Sequence, residues 1–102
     1  MNRGEIWWAE SPAQKRRPYL VLTRQPAIPV LHSVLAVPAT RTVRAIPTQV
    51  ELDRADGMPH ACALALDSMT LMPKTYLVER VTRLDERRMA EVCDALRAAT
   101  GC

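Results

Sequence analysis

Two polar residues, Arg17 and Thr40, lie just outside two apolar runs that the sequence predicts to pair as strands. The runs, residues 19–23 and 34–37, are short and rich in Val and Leu, which indicates strand rather than helix. A hairpin centred in the connection between them pairs residues whose numbers sum to about 57, as 17 and 40 do. Directly opposed residues hold their Cβ atoms about 4.5–5.5 Å apart. The same end of the hairpin collects four further cations: Lys15, Arg16, Arg41 and Arg44. This juxtaposition of cations and a hydroxyl predicts an anion site.

The composition predicts one folded unit, spanning residues 1–102, with a basic first half. Of the 102 residues, 48% are hydrophobic, which favours a packed core over disorder. The formal net charge is +3, and residues 14–24 carry four of the fourteen basic side chains and no acid. Such a half is typical of a surface that meets an acidic partner, such as RNA or an acidic protein segment. A solvated face without a partner is the alternative.

Several classes of function lack their sequence signals. We expect no signal peptide in residues 1–10 and no membrane-spanning run, which together favour a cytoplasmic protein. Three widely spaced cysteines without a CxxC argue against a zinc site or a disulfide framework. No HExxH, P-loop or GxSxG occurs, so neither a metal nor a cofactor is expected. His32 and His60 fall in predicted turns and are interpreted as surface residues rather than general bases.

About six short strands and one helix must position these residues. Besides the two hairpin strands, we expect strands at residues 4–10, 48–52, 62–66 and 76–81. Residues 11–17 are expected to form a polar link, and Pro38, which cannot donate to a ladder, to end or bulge its strand. Asp85 is a good N-cap and Gly101 a C′ residue for a terminal helix. Its predicted apolar stripe consists of Met89, Val92, Cys93 and Leu96. The pattern predicts a mainly β domain, a small, strongly bent sheet or partly open barrel capped by this helix.

Six segments, in order over nearly the whole chain, match the pattern of one toxin family. They are GEIWWAE, RRPYLVLTR, VLAVPATRTVRAIPTQVEL, DGMP, CALALDSMTLMPKTYL and RLDERRMAEVCDALRAATG. On these segments the chain resembles the MazF/PemK family of type II toxin–antitoxin ribonucleases. The resemblance implies an SH3-like barrel with a C-terminal helix, a homodimer, and metal-independent cleavage of single-stranded RNA. It also implies a cognate antitoxin with an acidic, partly disordered segment.

The resemblance assigns roles to single residues. The family's catalytic arginine falls on Arg17, immediately before Pro18, and its catalytic threonine on Thr40, two residues after Pro38. These are the residues that the hairpin arithmetic brings together. RNA contacts are expected from Lys15, Arg16, Arg41, Thr42, Arg44 and Ser68. The family's Gly- and Glu-Gln-containing loop before the arginine is replaced here by SPAQKR. Ser68 stands where the family often has Gln or Asn, so base recognition is expected to differ.

Two other functions fit a small basic barrel. One is a non-catalytic toxin that poisons a DNA topoisomerase, and the other is an SH3-like module that only binds nucleic acid. Neither needs Arg17 beside Thr40. Arginine side chains stay protonated in proteins, which makes them good holders of negative charge and poor general bases. The sequence therefore leaves open which group accepts a proton during cleavage.

Overall fold

One antiparallel sheet and one helix make up the fold. A computed structural model describes the backbone of residues 1–102 and every side chain except that of Gln14. The elements are β1 Glu5–Ser11, β2 Gln14–Val21, β3 Ser33–Thr40, β4 Gln49–Leu52, β5 Cys62–Ala65, β6 Thr70–Pro73, β7 Leu77–Arg83 and α1 Glu86–Thr100. Strand order is β4-β5-β3-β2-β1-β7, and β6 also pairs with β3. The mainly β class with a C-terminal helix is confirmed. The sheet is open, since β4 and β7 do not pair in the described backbone.

The hairpin of β2 and β3 has the register that the sequence predicts. Tyr19 faces Pro38, Leu20 faces Val37 and Val21 faces Ala36, so each pair of numbers sums to 57. The connection contains a short 3₁₀ turn, Gln25–Ala27, at a Pro-containing segment. Because the register is constant, every residue of β2 can be assigned to a face of the sheet.

The prediction of a polar link at residues 11–17 is wrong. Only Pro12 and Ala13 form the turn, because β1 and β2 already pair at Ser11 and Gln14. The ladder continues to Ala9 opposite Arg17, with an irregularity between Ala9 and Ser11. Polar side chains suggested a loop, but this part of β2 is paired with β1, so backbone hydrogen bonds hold it extended whatever its side chains are. Arg17 therefore lies within a strand.

Pro38 does not end β3, contrary to the prediction. The Leu35 N–H donates to Thr23 Oγ1 on the β2 side, so the backbone N–H groups of even-numbered residues point to the opposite edge. On that edge β3 pairs with β6 as far as Ala36 and with β5 from Ala39 onward. Pro38 falls at the change of partner, where a missing N–H removes no ladder bond. The strand can therefore run on to Thr40.

The strand β6 was not foreseen. It has four residues, ends at Pro73 and follows the 3₁₀ turn Leu66–Ser68 directly. Ser33 to Ala36 pair with it in order. Its burial does not alternate, since Thr70 and Leu71 are both exposed before the buried Met72, so no period-2 pattern marks it.

Alternation along the strands builds an apolar cluster on each face of the sheet. On β1, Ile6 enters the larger cluster, whereas Trp7 packs against the smaller one. The helix α1 covers the larger cluster with Val92 and Ala95, and its partly buried residues include Met89 and Leu96. Met89, Val92 and Leu96 of the predicted stripe are thus confirmed, and Ala95 is added to them. Cys93 is only half-buried and lies outside the cluster. The caps are also as predicted: Asp85 accepts from the Arg88 N–H at 2.8 Å, and Gly101 has φ 72°.

A half-buried ion pair fastens α1 to the turn at residues 53–58. Arg88 Nε donates to Asp56 Oδ1 at 2.8 Å and Arg88 Nη2 to Asp56 Oδ2 at 3.1 Å. The two side chains are only 16% and 7% exposed. Burial raises the pKa of Asp56, but hydrogen bonds from Arg88 and from the Asp53 N–H outweigh it and leave that pKa lowered. The fork geometry of the guanidinium makes this a strong, directional contact.

We expect Arg88→Met to destabilise the fold by about 1–3 kcal/mol at pH 7, because a largely buried carboxylate loses its charged donors. Since the folded pKa of Asp56 is lowered, the difference from wild type is full above the unfolded value of about 4 and shrinks as the pH falls below it. Urea unfolding at several pH values measures this. Arg87→Met is the matched control, because Arg87 forms an exposed ion pair with Glu91 and its charge is the smallest of the causes that lower the Asp56 pKa. An equal loss in both variants, or a difference that ignores pH, would contradict the assignment.

Candidate active site

Arg17 and Thr40 line one cleft of about 370 Å³ at the end of the hairpin. Extending the register by two residues beyond the Tyr19–Pro38 pair places Arg17 opposite Thr40 on the same face. The cleft, here called the Arg17 cleft, is lined by Trp8, Arg16, Arg17, Pro18, Ala39, Thr40, Arg41, Thr42, Met58, Pro59, His60 and Cys62. Three of these side chains are arginines and none is acidic. The cleft therefore suits an anion.

The Thr40 hydroxyl has a defined hydrogen-bonding state. The backbone N–H of Thr42 donates to Thr40 Oγ1 at 3.1 Å. One oxygen lone pair is thereby used, and the hydroxyl proton can be donated to a ligand. The segment after Thr40 is held by Gln49 on β4, which accepts from the Arg44 N–H at 2.8 Å and donates to the Thr42 carbonyl at 3.2 Å. Gln49 thus holds the backbone of residues 42–44, whose Thr42 N–H in turn orients the Thr40 hydroxyl.

The two neighbouring arginines of β2 differ in their partners. Arg16 pairs with Glu79 and, at 3.7 Å, with Glu10, and its Cζ lies 4.9 Å from the centroid of the Trp8 ring. Arg17 is exposed and forms no hydrogen bond or ion pair with any side chain that the structure describes. Its five N–H donors are available to a ligand. Arg17 is thus the guanidinium best placed to bind an incoming anion.

Two further depressions adjoin Arg17 and contain the remaining predicted residues. One of about 220 Å³ runs from Arg17 and Thr40 to Arg44 and Ser68. The other, about 480 Å³, runs from Lys15 past Arg17 to Ser68. These two depressions and the Arg17 cleft together include all eight residues predicted from the sequence to act in catalysis or RNA contact. Their roles stay predictions.

Trp8, Gln49 and His60 are among the residues of the site that were not predicted. Trp8 faces Pro18 across β1 and β2, but the register shifts between Ala9 and Ser11, so counting outward from the turn would have paired Trp8 with Arg17 instead. His60 lies just before β5, which pairs with β3 at Thr40 and Ala63. It is exposed, as expected, yet it lines the Arg17 cleft. No local sequence pattern marks it, because its position depends on which strand β5 joins.

The cysteines are free, and Cys62 lies at the inner wall of the cleft. Burial raises the pKa of the Cys62 thiol, and the charge of Asp56 raises it further. It therefore stays protonated at neutral pH. Among the described residues, no group of three or more His, Cys, Asp or Glu side chains is arranged to hold a metal ion. None of the helices described is long and apolar enough to cross a membrane.

Comparison with known proteins identifies the family. Residues 2–100 match the profile of the family described as PemK-like, MazF-like toxin of type II toxin–antitoxin system. The chain belongs to this family. The resemblance inferred from the sequence motifs is thereby confirmed over nearly the whole chain.

Similar proteins of the PemK/MazF family occur in mycobacteria. The chain is 40% identical to the probable endoribonuclease MazF2 of Mycobacterium tuberculosis over 103 residues, covering 100% of both chains. It is 41% identical over 101 residues to the probable endoribonuclease MazF5 of the same species, covering 98% of this chain and 93% of that one. A solved mycobacterial endoribonuclease in complex with its cognate antitoxin has the same fold, with TM-score 0.90 and 23% identity. The alignment covers 99% of this chain and 95% of that chain.

Proposed function

We propose that this chain is the toxin of a type II toxin–antitoxin system. It acts in the cytoplasm as a sequence-selective, metal-independent endoribonuclease on single-stranded RNA, with Arg17 and Thr40 as its catalytic residues. The observation that carries the proposal is the meeting of an unpaired guanidinium and an oriented hydroxyl in one cleft without acids. The full-length similarity to two probable endoribonucleases supports it.

Cleavage through the 2′-hydroxyl of the substrate makes three chemical demands. The hydroxyl must lose a proton, the phosphorus must carry extra negative charge, and the leaving 5′-oxygen must gain a proton. Arg17 meets the second demand, because a guanidinium binds two phosphate oxygens at once. Thr40 adds a neutral donor to a non-bridging oxygen. Preorganised donors of this kind are commonly worth about 3 kcal/mol each in the transition state.

The remaining cations give the RNA strand a path through the three depressions. Lys15, Arg16, Arg41 and Arg44 neutralise phosphates, and Thr42 adds a hydroxyl donor. Unpaired bases can stack or form hydrogen bonds at such a surface, whereas the bases of a duplex are hidden. Ser68, which borders two of the depressions, is placed to contact a base. Its short side chain should give a different base recognition from the longer amide that the family often has there.

Two protein partners follow from the same surface. The cognate antitoxin covers the cations with an acidic segment that is partly disordered when free. A second copy of the toxin covers apolar side chains that the monomer leaves exposed. Leu35 and Leu71 face each other across β3 and β6, yet they are 39% and 67% exposed. Trp7 and Trp8 are both half-buried within the monomer and therefore offer a second copy less apolar surface.

The decisive assay incubates the purified protein with a long RNA in excess EDTA. We expect discrete fragments ending in 2′,3′-cyclic phosphate and 5′-hydroxyl, because the substrate's own 2′-oxygen is the nucleophile. An oligonucleotide with 2′-O-methyl at the cut site should resist cleavage, and the same modification one nucleotide away serves as control. Intact RNA at protein levels that still arrest growth would favour the topoisomerase poison. Binding without cleavage or toxicity would favour the nucleic-acid module.

Variants of the catalytic pair test the roles of its members. Arg17→Ala should remove most cleavage and toxicity with the fold intact, because the Arg17 side chain is exposed. Arg17→Lys should restore little, since an ammonium cannot bind two oxygens in the fork geometry. Thr40→Ala should cost less, because a neutral donor is lost rather than a charge.

Arg24→Ala is the matched control for Arg17, because Arg24 is an exposed arginine outside the three depressions. Circular dichroism monitors folding of every variant. A near-normal rate for Arg17→Ala would show that the catalytic cation lies elsewhere.

The homodimer should have C2 symmetry, so that each copy presents the same patch. Light scattering at tens of micromolar protein should give twice the monomer mass of 11.4 kDa. Leu71→Lys should shift the mass toward the monomer if the Leu35–Leu71 pair is covered in the dimer. Val78→Lys on β7 is the control, as Val78 is also exposed. A monomeric wild type would rule out the dimer at this concentration.

A further inference from the structure

The Arg17 cleft is rich in proton donors and poor in proton acceptors. Its three arginines donate hydrogen bonds and accept none. The Thr40 oxygen already accepts from the Thr42 N–H. Cys62 keeps its proton, because burial raises the pKa of the thiol. The arginines and Thr40 can therefore stabilise a phosphate in the cleft, but none of the residues considered so far can accept the proton of a 2′-hydroxyl.

His60, which also lines the cleft, carries a side chain that can accept a proton. Among the described side chains that line the cleft, the others that have not been considered are apolar, prolyl or indole groups and the Thr42 hydroxyl. None of these takes up a proton near neutral pH. Histidine is the side chain whose ordinary titration lies between about pH 5 and 8, which makes it the commonest general base.

The segment that carries His60 is held at both ends. Met58, two residues before it, is buried, and Cys62, two residues after it, begins β5 and is buried as well. The preceding turn is closed by a capping box between Asp53 and Asp56. Asp56 is in turn bound by Arg88 of α1. The backbone at His60 is therefore held at the edge of the cleft.

We propose that His60 is the general base that accepts the 2′-hydroxyl proton, an inference that rests on the proposed function. The imidazole nitrogen takes the proton, the 2′-oxygen forms a bond to phosphorus, and the bond from phosphorus to the 5′-oxygen breaks. The 5′-oxygen leaves with a proton taken from water or a cleft donor, which balances the step. Arg17 and Thr40 bind the phosphate oxygens meanwhile. The charged or titratable groups that share the cleft are Arg16 and Arg17 from β2, Arg41 after β3, and Cys62 from β5.

The pH dependence of cleavage tests this role. The substrate is a short oligonucleotide containing a site at which the wild type cuts a long RNA. For the wild type, kcat/KM should rise tenfold per pH unit on the acidic side and then level off, as a single general base requires. His60→Gln should abolish that rise and lower the plateau about 100-fold or more. His60→Asn should behave in the same way.

His32→Gln is the matched control. His32 is the other histidine of the chain and is also exposed, but it lies before β3, whereas Thr40 ends it. The eight residues of β3 at about 3.3 Å each separate it from the cleft by more than about 20 Å. This variant should keep both the acidic limb and the plateau.

The possible outcomes distinguish a failure of the His60 assignment from a failure of the proposed function. If the wild type cuts, Arg17→Ala does not, and His60→Gln keeps the acidic limb, the base assignment is wrong and the proposed function stands. If His60→Gln instead loses an alkaline limb and a substrate with a 5′-thio leaving group restores its rate, His60 is the general acid and the proposal is overturned. If the wild type leaves every RNA intact, both the base assignment and the proposed function are wrong.

Discussion

The backbone register between β2 and β3 is the constraint on which the site depends. A ladder in which paired numbers sum to 57 brings together residues that are 23 positions apart in sequence, Arg17 and Thr40. A slip of one residue would move Arg17 to the opposite face of the sheet, because side chains alternate with period two. Buried side chains on both faces resist such a slip: Leu20 and Val37 pack on one side, Tyr19 and Val34 on the other. The apolar core therefore specifies the position of a polar pair that contributes little to it.

Along one edge, β3 pairs first with β6 and then with β5, and it can therefore extend as far as the site. The change from β6 to β5 leaves a gap in the ladder, and Pro38 occupies that gap without loss. Beyond it, pairing with β5 brings the turn carrying His60 to the side of Thr40, while Gln49 on β4 binds the segment after Thr40. The cleft is thus assembled from four separate stretches of chain, each positioned through β3 or β2.

Features that depend on interactions within one segment could be predicted from the sequence, whereas features that depend on contacts between distant segments could not. The helix from Asp85 to Gly101 follows from caps and a stripe within one segment, and it was predicted closely. The hairpin followed from two apolar runs and one connection. The start of β2 was missed because its polar residues are held by pairing with β1, which no local pattern shows. His60 was placed correctly at the surface, yet its neighbours in the cleft come from β2 and β3 and depend on the whole sheet.

The charges of the molecule are arranged so that structural cations are paired and the cation at the centre of the site is not. Arg88 binds Asp56, and Arg80 lies 3.2 Å from the buried Glu5. Arg17 has no acidic partner among the described side chains, although other cations border the same cleft. Like charges held close together repel one another, so the arrangement costs stability that a bound polyanion restores. An RNA strand and an acidic protein segment both relieve this repulsion, and they do so at the same place. Under the proposed function, an acidic segment that occupied this cleft would therefore compete with RNA for the same cations.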